Sequence, residues 1–148
     1  MTTTQPIETL FANDIYRRIE EVIKVDQTDE EIIRDEINEY VVTDVIHTHY
    51  TNIFDAYRET PNKPHEGIAV WVSGFFGSGK SSFAKMLGLS IANRMVVGEP
   101  AGERFARRAG GDRLQVLLKA INEQIPTHAV IFDVSTDRGI RSGNQTLT

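Results

Sequence analysis

An eight-residue stretch at the middle of the chain most constrains how the sequence can fold. Residues 74–81 read Gly-Phe-Phe-Gly-Ser-Gly-Lys-Ser and match the pattern Gly-x-x-x-x-Gly-Lys-Ser/Thr. An apolar run at 68–72 precedes the stretch, and apolar residues at helical spacing follow it from about Lys80 to Asn93. The order of strand, glycine-rich loop and helix is the context in which this pattern binds phosphate. We therefore predict a phosphate-binding loop.

The residue types in this loop suit a nucleoside triphosphate. Glycines let successive backbone N–H groups turn inward around phosphate oxygens, because a Cβ would obstruct the dihedral angles required. Lys80 supplies a cation for the β and γ phosphates, and the Ser81 hydroxyl is placed to coordinate Mg²⁺. A helix that begins here also directs its positive end at the anion. We predict ATP and Mg²⁺ as ligands, with binding residues Gly74, Phe75, Phe76, Gly77, Ser78, Gly79, Lys80, Ser81 and Ser82.

Two aromatic residues and one acid near the loop leave alternatives open. Phe75 and Phe76 are expected to pack against the N-terminal helices rather than to stack on the base. Asp133 lies near the end of a second apolar run at 129–134, where P-loop enzymes keep an aspartate that orders Mg²⁺. No glutamate follows it to activate water, and Asp137 is equally available as a turn residue. For the loop itself, the alternative is a glycine-rich turn without a ligand.

Charge is distributed unevenly and divides the chain into two parts. Residues 1–60 hold 14 acidic and 5 basic side chains, whereas residues 61–148 hold 7 and 11. The acidic part argues against direct binding of nucleic acid, which needs clustered Lys and Arg side chains. The basic cluster of Arg104, Arg107 and Arg108 is expected to be a solvated helix face rather than a nucleic-acid patch.

Several missing sequence features favour the cytoplasm. The chain has no cysteine, and therefore no disulfide framework or thiolate site. Its first residues lack the basic end and apolar run of a secretory signal. No apolar stretch approaches the roughly 20 residues needed to cross a bilayer. The four histidines have no metal-ligand spacing. We expect a cytoplasmic protein that does not enter the membrane.

The acidic part is predicted to form three helices before a boundary near residues 60–67. The first helix follows the apolar residues between 11 and 23. A capping box at Thr28 starts the second helix at Asp29, and Thr43 offers the next N-cap. The residues expected to face inward are Ile33, Ile37, Tyr40 and Val41 on the second helix and Ile46, Tyr50, Ile53 and Tyr57 on the third.

The predicted fold class is α/β, with an acidic helical region at 1–66 followed by the first part of a P-loop NTPase domain at 67–148. Helices are predicted from about Lys80 to Asn93, around 103–108 and over 113–125, and the first should bury Phe83, Leu87 and Ile91. A strand at 68–72, buried on both faces, and a second buried strand at 129–134 should lie in a parallel sheet. Such sheets are about five strands wide, so we expect the sheet to be incomplete in this chain and hydrolysis by the chain alone to be negligible.

Three stretches together resemble a known family. They are Val-Ile-Lys-Val-Asp-Gln at 22–27, Glu-Ile-Asn-Glu-Tyr-Val-Val-Thr at 36–43, and the stretch 70–85 around the loop with its phenylalanine pair. They are similar to the N-terminus of the large P-loop ATPases of bacteriophage-exclusion (BREX) and phage-growth-limitation systems, the BrxC/PglY family. The likeness covers most of residues 7–95. From this resemblance, the roles of phosphate-loop residues can be assigned only to residues 74–82.

The resemblance implies an AAA-type ATPase of prokaryotic antiviral defence. Such an ATPase works with methyltransferase, phosphatase-like and other subunits, is expected to be oligomeric, and would meet DNA only indirectly. Family members run to well over a thousand residues, so the Asp-Glu strand, sensors and arginine finger of such an enzyme have no matching positions here.

Two other functions remain open on the sequence. A small P-loop kinase would place its phosphate loop near the N-terminus, whereas here 73 residues precede Gly74. A nucleotide-gated interaction module that does not hydrolyse ATP would tolerate the missing hydrolytic residues. A comparison of nucleotide affinity with turnover separates the module from an enzyme.

Overall fold

Five α-helices and one short hairpin build the part of the chain that the computed structural model describes, residues 6–11, 15–16, 24–63 and 67–132. The helices are α1 (Glu30–Glu39), α2 (Asp44–Arg58), α3 (Lys80–Ala92), α4 (Ala101–Ala109) and α5 (Asp112–Gln124). The strands β1 (Met95–Val96) and β2 (Glu99–Pro100) pair antiparallel, with Met95 opposite Pro100. Short 3-10 helices lie at Ile7–Leu10 and Thr60–Asn62. The described architecture is therefore mostly helical, with one small antiparallel sheet.

The starts of α1 and α2 follow the predicted capping chemistry with one correction. Asp29, not Thr28, is the N-cap of α1, because its carboxylate accepts from the backbone N–H groups of Glu31 and Ile32 at 2.9 and 3.4 Å. The side-chain oxygen of Gln27 takes the backbone N–H groups of Thr28 and Asp29, which moves the cap one residue onward. Thr43 is confirmed as the cap of α2, with the Ile46 N–H donating to its hydroxyl at 3.3 Å.

One apolar core joins all five helices. Ile33 and Ile37 are fully buried as predicted, whereas Val41 is exposed. That part of the prediction is wrong because α1 ends at Glu39, so position 41 no longer follows the helical face. The core contains residues from both sides of the predicted boundary near residues 60–67. The boundary itself stays a prediction. The buried apolar residues are Ile33, Ile37, Tyr50, Phe54, Met86, Leu89, Val96, Ala101, Phe105, Ala106, Leu114, Leu117, Leu118 and Ile121.

The helix that follows the glycine-rich loop, α3, is buried over a wider face than predicted. Phe83, Leu87 and Ile91 pack against the core but remain partly exposed. Met86 and Leu89 are buried more deeply, because α3 lies against both α4 and α5. The predicted first helix, between residues 11 and 23, lies mostly outside the described residues.

Neither predicted strand is formed in the described part of the chain. Residues 67–73 and 126–132 lie in irregular structure. The expectation that 68–72 would be buried on both faces is wrong, since Trp71 is 91% exposed and Val70 is also exposed. A strand needs a hydrogen-bonded neighbour, and no described residue pairs with this segment. The end of the second run, from Asp133 onward, lies outside the described residues.

The segment between α3 and α5 forms more regular structure than the sequence indicated. The predicted surface excursion contains the β1–β2 hairpin, and the short helix expected around 103–108 is α4. Arg107 and Arg108 are exposed, as predicted for a solvated helix face, and Arg104 and Arg107 also pair with Glu99 at 3.0 and 2.6 Å. Arg108 donates from Nε to the Tyr40 carbonyl at 2.8 Å. These arginines tie α4 to the hairpin and to α1.

Within the described ranges, no helix combines the length and the apolar composition needed to cross a membrane.

Candidate phosphate-binding site

The glycine-rich loop occupies residues 74–79 and leads directly into α3. The Ser78 N–H donates to the Phe75 carbonyl at 3.2 Å, which closes a tight turn. Gly77 and Gly79 have φ values of +77° and +81°, in the left-handed region that side chains with a Cβ rarely adopt. The two glycines are therefore required by the backbone path of the loop.

The first turn of α3 has no side-chain cap. Its N-cap is Gly79, which has no side chain to accept from the helix N–H groups. In the described part of the chain, no protein acceptor receives the N–H groups of Lys80, Ser81 or Ser82. Helix N-termini without a cap carry open donors and a partial positive charge. This end of α3 can therefore hold an anion.

Lys80 lies at the entrance of α3 and folds back over the loop. Its Nζ donates to the Phe75 carbonyl at 2.7 Å, five residues earlier in the chain. The side chain is partly exposed, and its ammonium lies beside the turn that Gly77 and Gly79 form. A cation, open backbone donors and left-handed glycines thus meet in one loop.

Ser81 and Asp133 are the two residues predicted to bind Mg²⁺, and only Ser81 lies in the described part of the chain. Ser81 is exposed in the first turn of α3, where its hydroxyl can reach a cation held by phosphate oxygens. Among the described residues, no group of three or more histidine and acidic side chains could hold a metal ion by itself. Asp133 lies outside the described residues.

The phenylalanine pair does not pack as expected. Phe75 and Phe76 are 91% and 106% exposed, so the prediction that they cover the N-terminal helices is wrong. Both lie in the tight turn, while α1 and α2 bury their apolar faces against α4 and α5 instead. The pair is left on the surface next to the candidate site.

A groove with a volume of about 730 Å³ adjoins the loop. One wall comes from α2 and includes Ile46, His49 and Ile53, and another comes from Val70 and Val72. Gly79, Lys80 and Phe83 also line the groove, so it is continuous with the candidate phosphate site. The sequence does not indicate this groove, because a helix face that lines a groove has the same apolar spacing as one that is buried.

Two contacts hold α3 against the N-terminal helices, and the sequence indicated neither. The Tyr50 hydroxyl donates to the Phe83 carbonyl at 3.0 Å, and the two rings stack with centroids 4.4 Å apart. Lys85, with its side chain 1% exposed, pairs with Glu36 at 2.5 Å and donates to the Lys24 carbonyl at 2.6 Å. A lysine at helical spacing among apolar residues would have been the signal for the second contact.

The comparisons with known proteins identify no family. No protein-family model matches the chain, and no solved structure matches it significantly.

Proposed function

We propose that residues 74–82 bind the triphosphate of ATP together with Mg²⁺. The observation that carries the proposal is the convergence of left-handed Gly77 and Gly79, the uncapped N-terminus of α3 and the Lys80 ammonium in a single loop. Each of these features meets a need of a multiply charged anion, namely inward N–H groups, a helix dipole and a mobile cation.

Lys80 and Ser81 have distinct roles in this proposal. Lys80 exchanges its contact with the Phe75 carbonyl for oxygens of the β and γ phosphates, since a charge-assisted bond is stronger than one to a neutral carbonyl. Ser81 gives its hydroxyl oxygen to the magnesium ion that the phosphates carry. The groove beside α2 provides the space for the nucleoside part, with mainly apolar walls and the side chains of His49 and Asn52 as polar groups.

The wider function that we propose is that of the ATP-binding N-terminal portion of a large AAA-type ATPase in a prokaryotic antiphage system of the BREX type. The support is the resemblance over the stretches 22–27, 36–43 and 70–85, together with the loop geometry. We place the protein in the cytoplasm, with other defence subunits as partners, assembly into an oligomer, and DNA reached only through those partners.

The parallel sheet expected of such an ATPase belongs to the same proposal. Four of the five residues at 68–72 are β-branched or aromatic, and the side chains of these four are exposed. These are the properties of a segment that becomes a buried strand once neighbouring strands pair with it. ATP hydrolysis is accordingly proposed for the complete enzyme, where further residues activate water.

Calorimetric titration with Mg·ATP tests the loop assignment. We expect Lys80→Ala to weaken binding by about 1.5–3 kcal/mol, because one charge-assisted contact is lost. Lys119→Ala is the matched control, since Lys119 is an exposed lysine on α5 whose pair with Glu123 is long, at 3.9 Å. Circular dichroism should find both variants folded. Equal Mg·ATP affinity for wild type and Lys80→Ala would reject the assignment.

A further inference from the structure

The hydroxyl of Tyr50 connects α2 to the first turn of α3. Tyr50 is fully buried, and its ring stacks on Phe83 while its hydroxyl reaches the Phe83 carbonyl at 3.0 Å. Phe83 lies three residues after Lys80, within the same helical turn. Any shift of this carbonyl therefore moves the N–H groups at the start of α3 by a similar amount.

The direction of this hydrogen bond follows from the groups involved. The Tyr50 hydroxyl is near two oxygens, those of the Phe83 carbonyl at 3.0 Å and the Tyr40 hydroxyl at 3.2 Å. A carbonyl can only accept, so the single Tyr50 proton goes to Phe83 and Tyr40 donates to Tyr50. Burial raises the pKa of Tyr50 far above its usual range, because the charged phenolate would lose its hydration. The Tyr50 hydroxyl is therefore protonated at neutral pH and can donate.

A second contact holds the next turn of the same helix. Lys85 lies two residues beyond Phe83, and its ammonium binds Glu36 of α1 and the Lys24 carbonyl. Tyr50 and Glu36 thus restrain α3 at successive turns, from two different helices. Such a pair of restraints limits both rotation and sliding of α3, and the first of them acts on the turn that faces the phosphate site.

We propose that Tyr50 is a positioning residue of the nucleotide site: through the Phe83 carbonyl it holds the first turn of α3 in the orientation that aims the Lys80, Ser81 and Ser82 N–H groups at phosphate. This inference rests on the proposed ATP binding. Helix α2 then contributes to the site, because the orientation of the phosphate-binding N–H groups depends on Tyr50, 30 residues before Lys80.

Tyr57 provides a matched control for the hydroxyl of Tyr50. It lies on the same helix, and its hydroxyl also makes a long-range contact, at 2.8 Å to the Thr127 hydroxyl. Thr127 follows α5 and is not part of the loop or of α3. Tyr57→Phe therefore removes the same chemical group without touching the first turn of α3.

The test is calorimetric titration with Mg·ATP, combined with NMR of the ligand-free protein. Tyr50→Phe should bind Mg·ATP about three- to ten-fold more weakly and shift the amide resonances of Lys80 and Ser81. Tyr57→Phe should keep an affinity within about two-fold of wild type, since the loss of a contact elsewhere does not move the donors. Thermal melts should place Tyr50→Phe and Tyr57→Phe at similar stability.

Three outcomes overturn the proposal. They are wild-type affinity in Tyr50→Phe, an equal loss of affinity in Tyr57→Phe, and unfolding of Tyr50→Phe, which would assign the hydroxyl to the fold alone. These outcomes differ from failure of the proposed function itself. In that case the wild-type protein would bind no Mg·ATP, or would bind it equally well with Lys80→Ala.

Discussion

Val97 has a backbone conformation that is costly for its side chain. It sits at the turn between β1 and β2 with a φ value of +47°, and Gly98 follows with +74°. Two left-handed residues suit a two-residue hairpin turn, whose first position favours Asn, Asp or Gly. For a β-branched residue this conformation costs about 1–2 kcal/mol. The Val97 N–H donates to a carboxylate oxygen of Glu30 in α1 at 2.8 Å.

Replacement of Val97 by a residue that tolerates this conformation should stabilise the protein. We expect Val97→Asn to raise the free energy of unfolding by about 1 kcal/mol, and the melting temperature by about 4 °C. Val116→Asn is the control, because Val116 is exposed on α5 in ordinary helical geometry and its replacement should change stability by less than about 0.5 kcal/mol. Thermal and urea unfolding measure both variants. Equal changes in the free energy of unfolding for Val97→Asn and Val116→Asn would contradict backbone strain at position 97.

At the same scale, the sequence predicted the residues of the candidate site whose role depends on local backbone chemistry. Gly77 and Gly79 adopt left-handed conformations, and Lys80 begins α3, as the motif requires. The predicted packing of Phe75 and Phe76 against the N-terminal helices is wrong, because the burial of turn residues depends on what the turn faces in three dimensions. Tyr50 was expected only as an inward-facing residue, since no local pattern encodes a hydrogen bond across 33 residues.

At the scale of elements, the buried ion pair of Glu36 and Lys85 is the main polar tie between α1 and α3. The pair is 2.5 Å long, with side-chain exposures of 14% for Glu36 and 1% for Lys85. Removal of one charge from a buried pair leaves the other without compensation, which is far more costly than the loss of a surface pair. The tie is therefore expected to be sensitive to single substitutions and tolerant of paired ones.

We expect Glu36→Ala to lower the free energy of unfolding by about 3–5 kcal/mol, because the Lys85 ammonium stays buried without its carboxylate. The double variant Glu36→Leu with Lys85→Met should recover much of that loss, since no charge then remains buried. Glu123→Ala, which removes an exposed partner of Lys119, should cost less than about 1 kcal/mol. Urea unfolding measures all three. A similar small loss for Glu36→Ala and Glu123→Ala would contradict a buried, energetically coupled pair.

Helices were predicted more successfully than strands for a physical reason. A helix satisfies its backbone hydrogen bonds within one segment, so caps such as Thr43 and the apolar spacing of α2 are sufficient to indicate it. A strand depends on a partner that can be far away in the chain. The run at 68–72 has strand composition but no described neighbour, whereas the hairpin at 95–100 has a local one and forms without a strong strand pattern.

At the scale of the whole molecule, the acidic N-terminal helices and the loop-bearing helix share one core. Ile33 and Ile37 of α1 and Tyr50 and Phe54 of α2 belong to the same buried cluster as Met86 of α3. The charge asymmetry of the sequence divided the chain near residues 60–67, but packing across that point depends on three-dimensional contacts that composition does not contain. The candidate phosphate site therefore lies on a helix that the N-terminal part of the chain holds in place.

NMR mapping of backbone amides during titration with Mg·ATP tests the central claim most directly, because it identifies the N–H groups that meet the phosphates. We predict that the largest shifts fall on Gly77, Gly79, Lys80 and Ser81, and that inorganic triphosphate reproduces them while adenosine does not. Largest shifts elsewhere, or the absence of shifts at these four amides at saturating Mg·ATP, would contradict a phosphate-binding loop at residues 74–82.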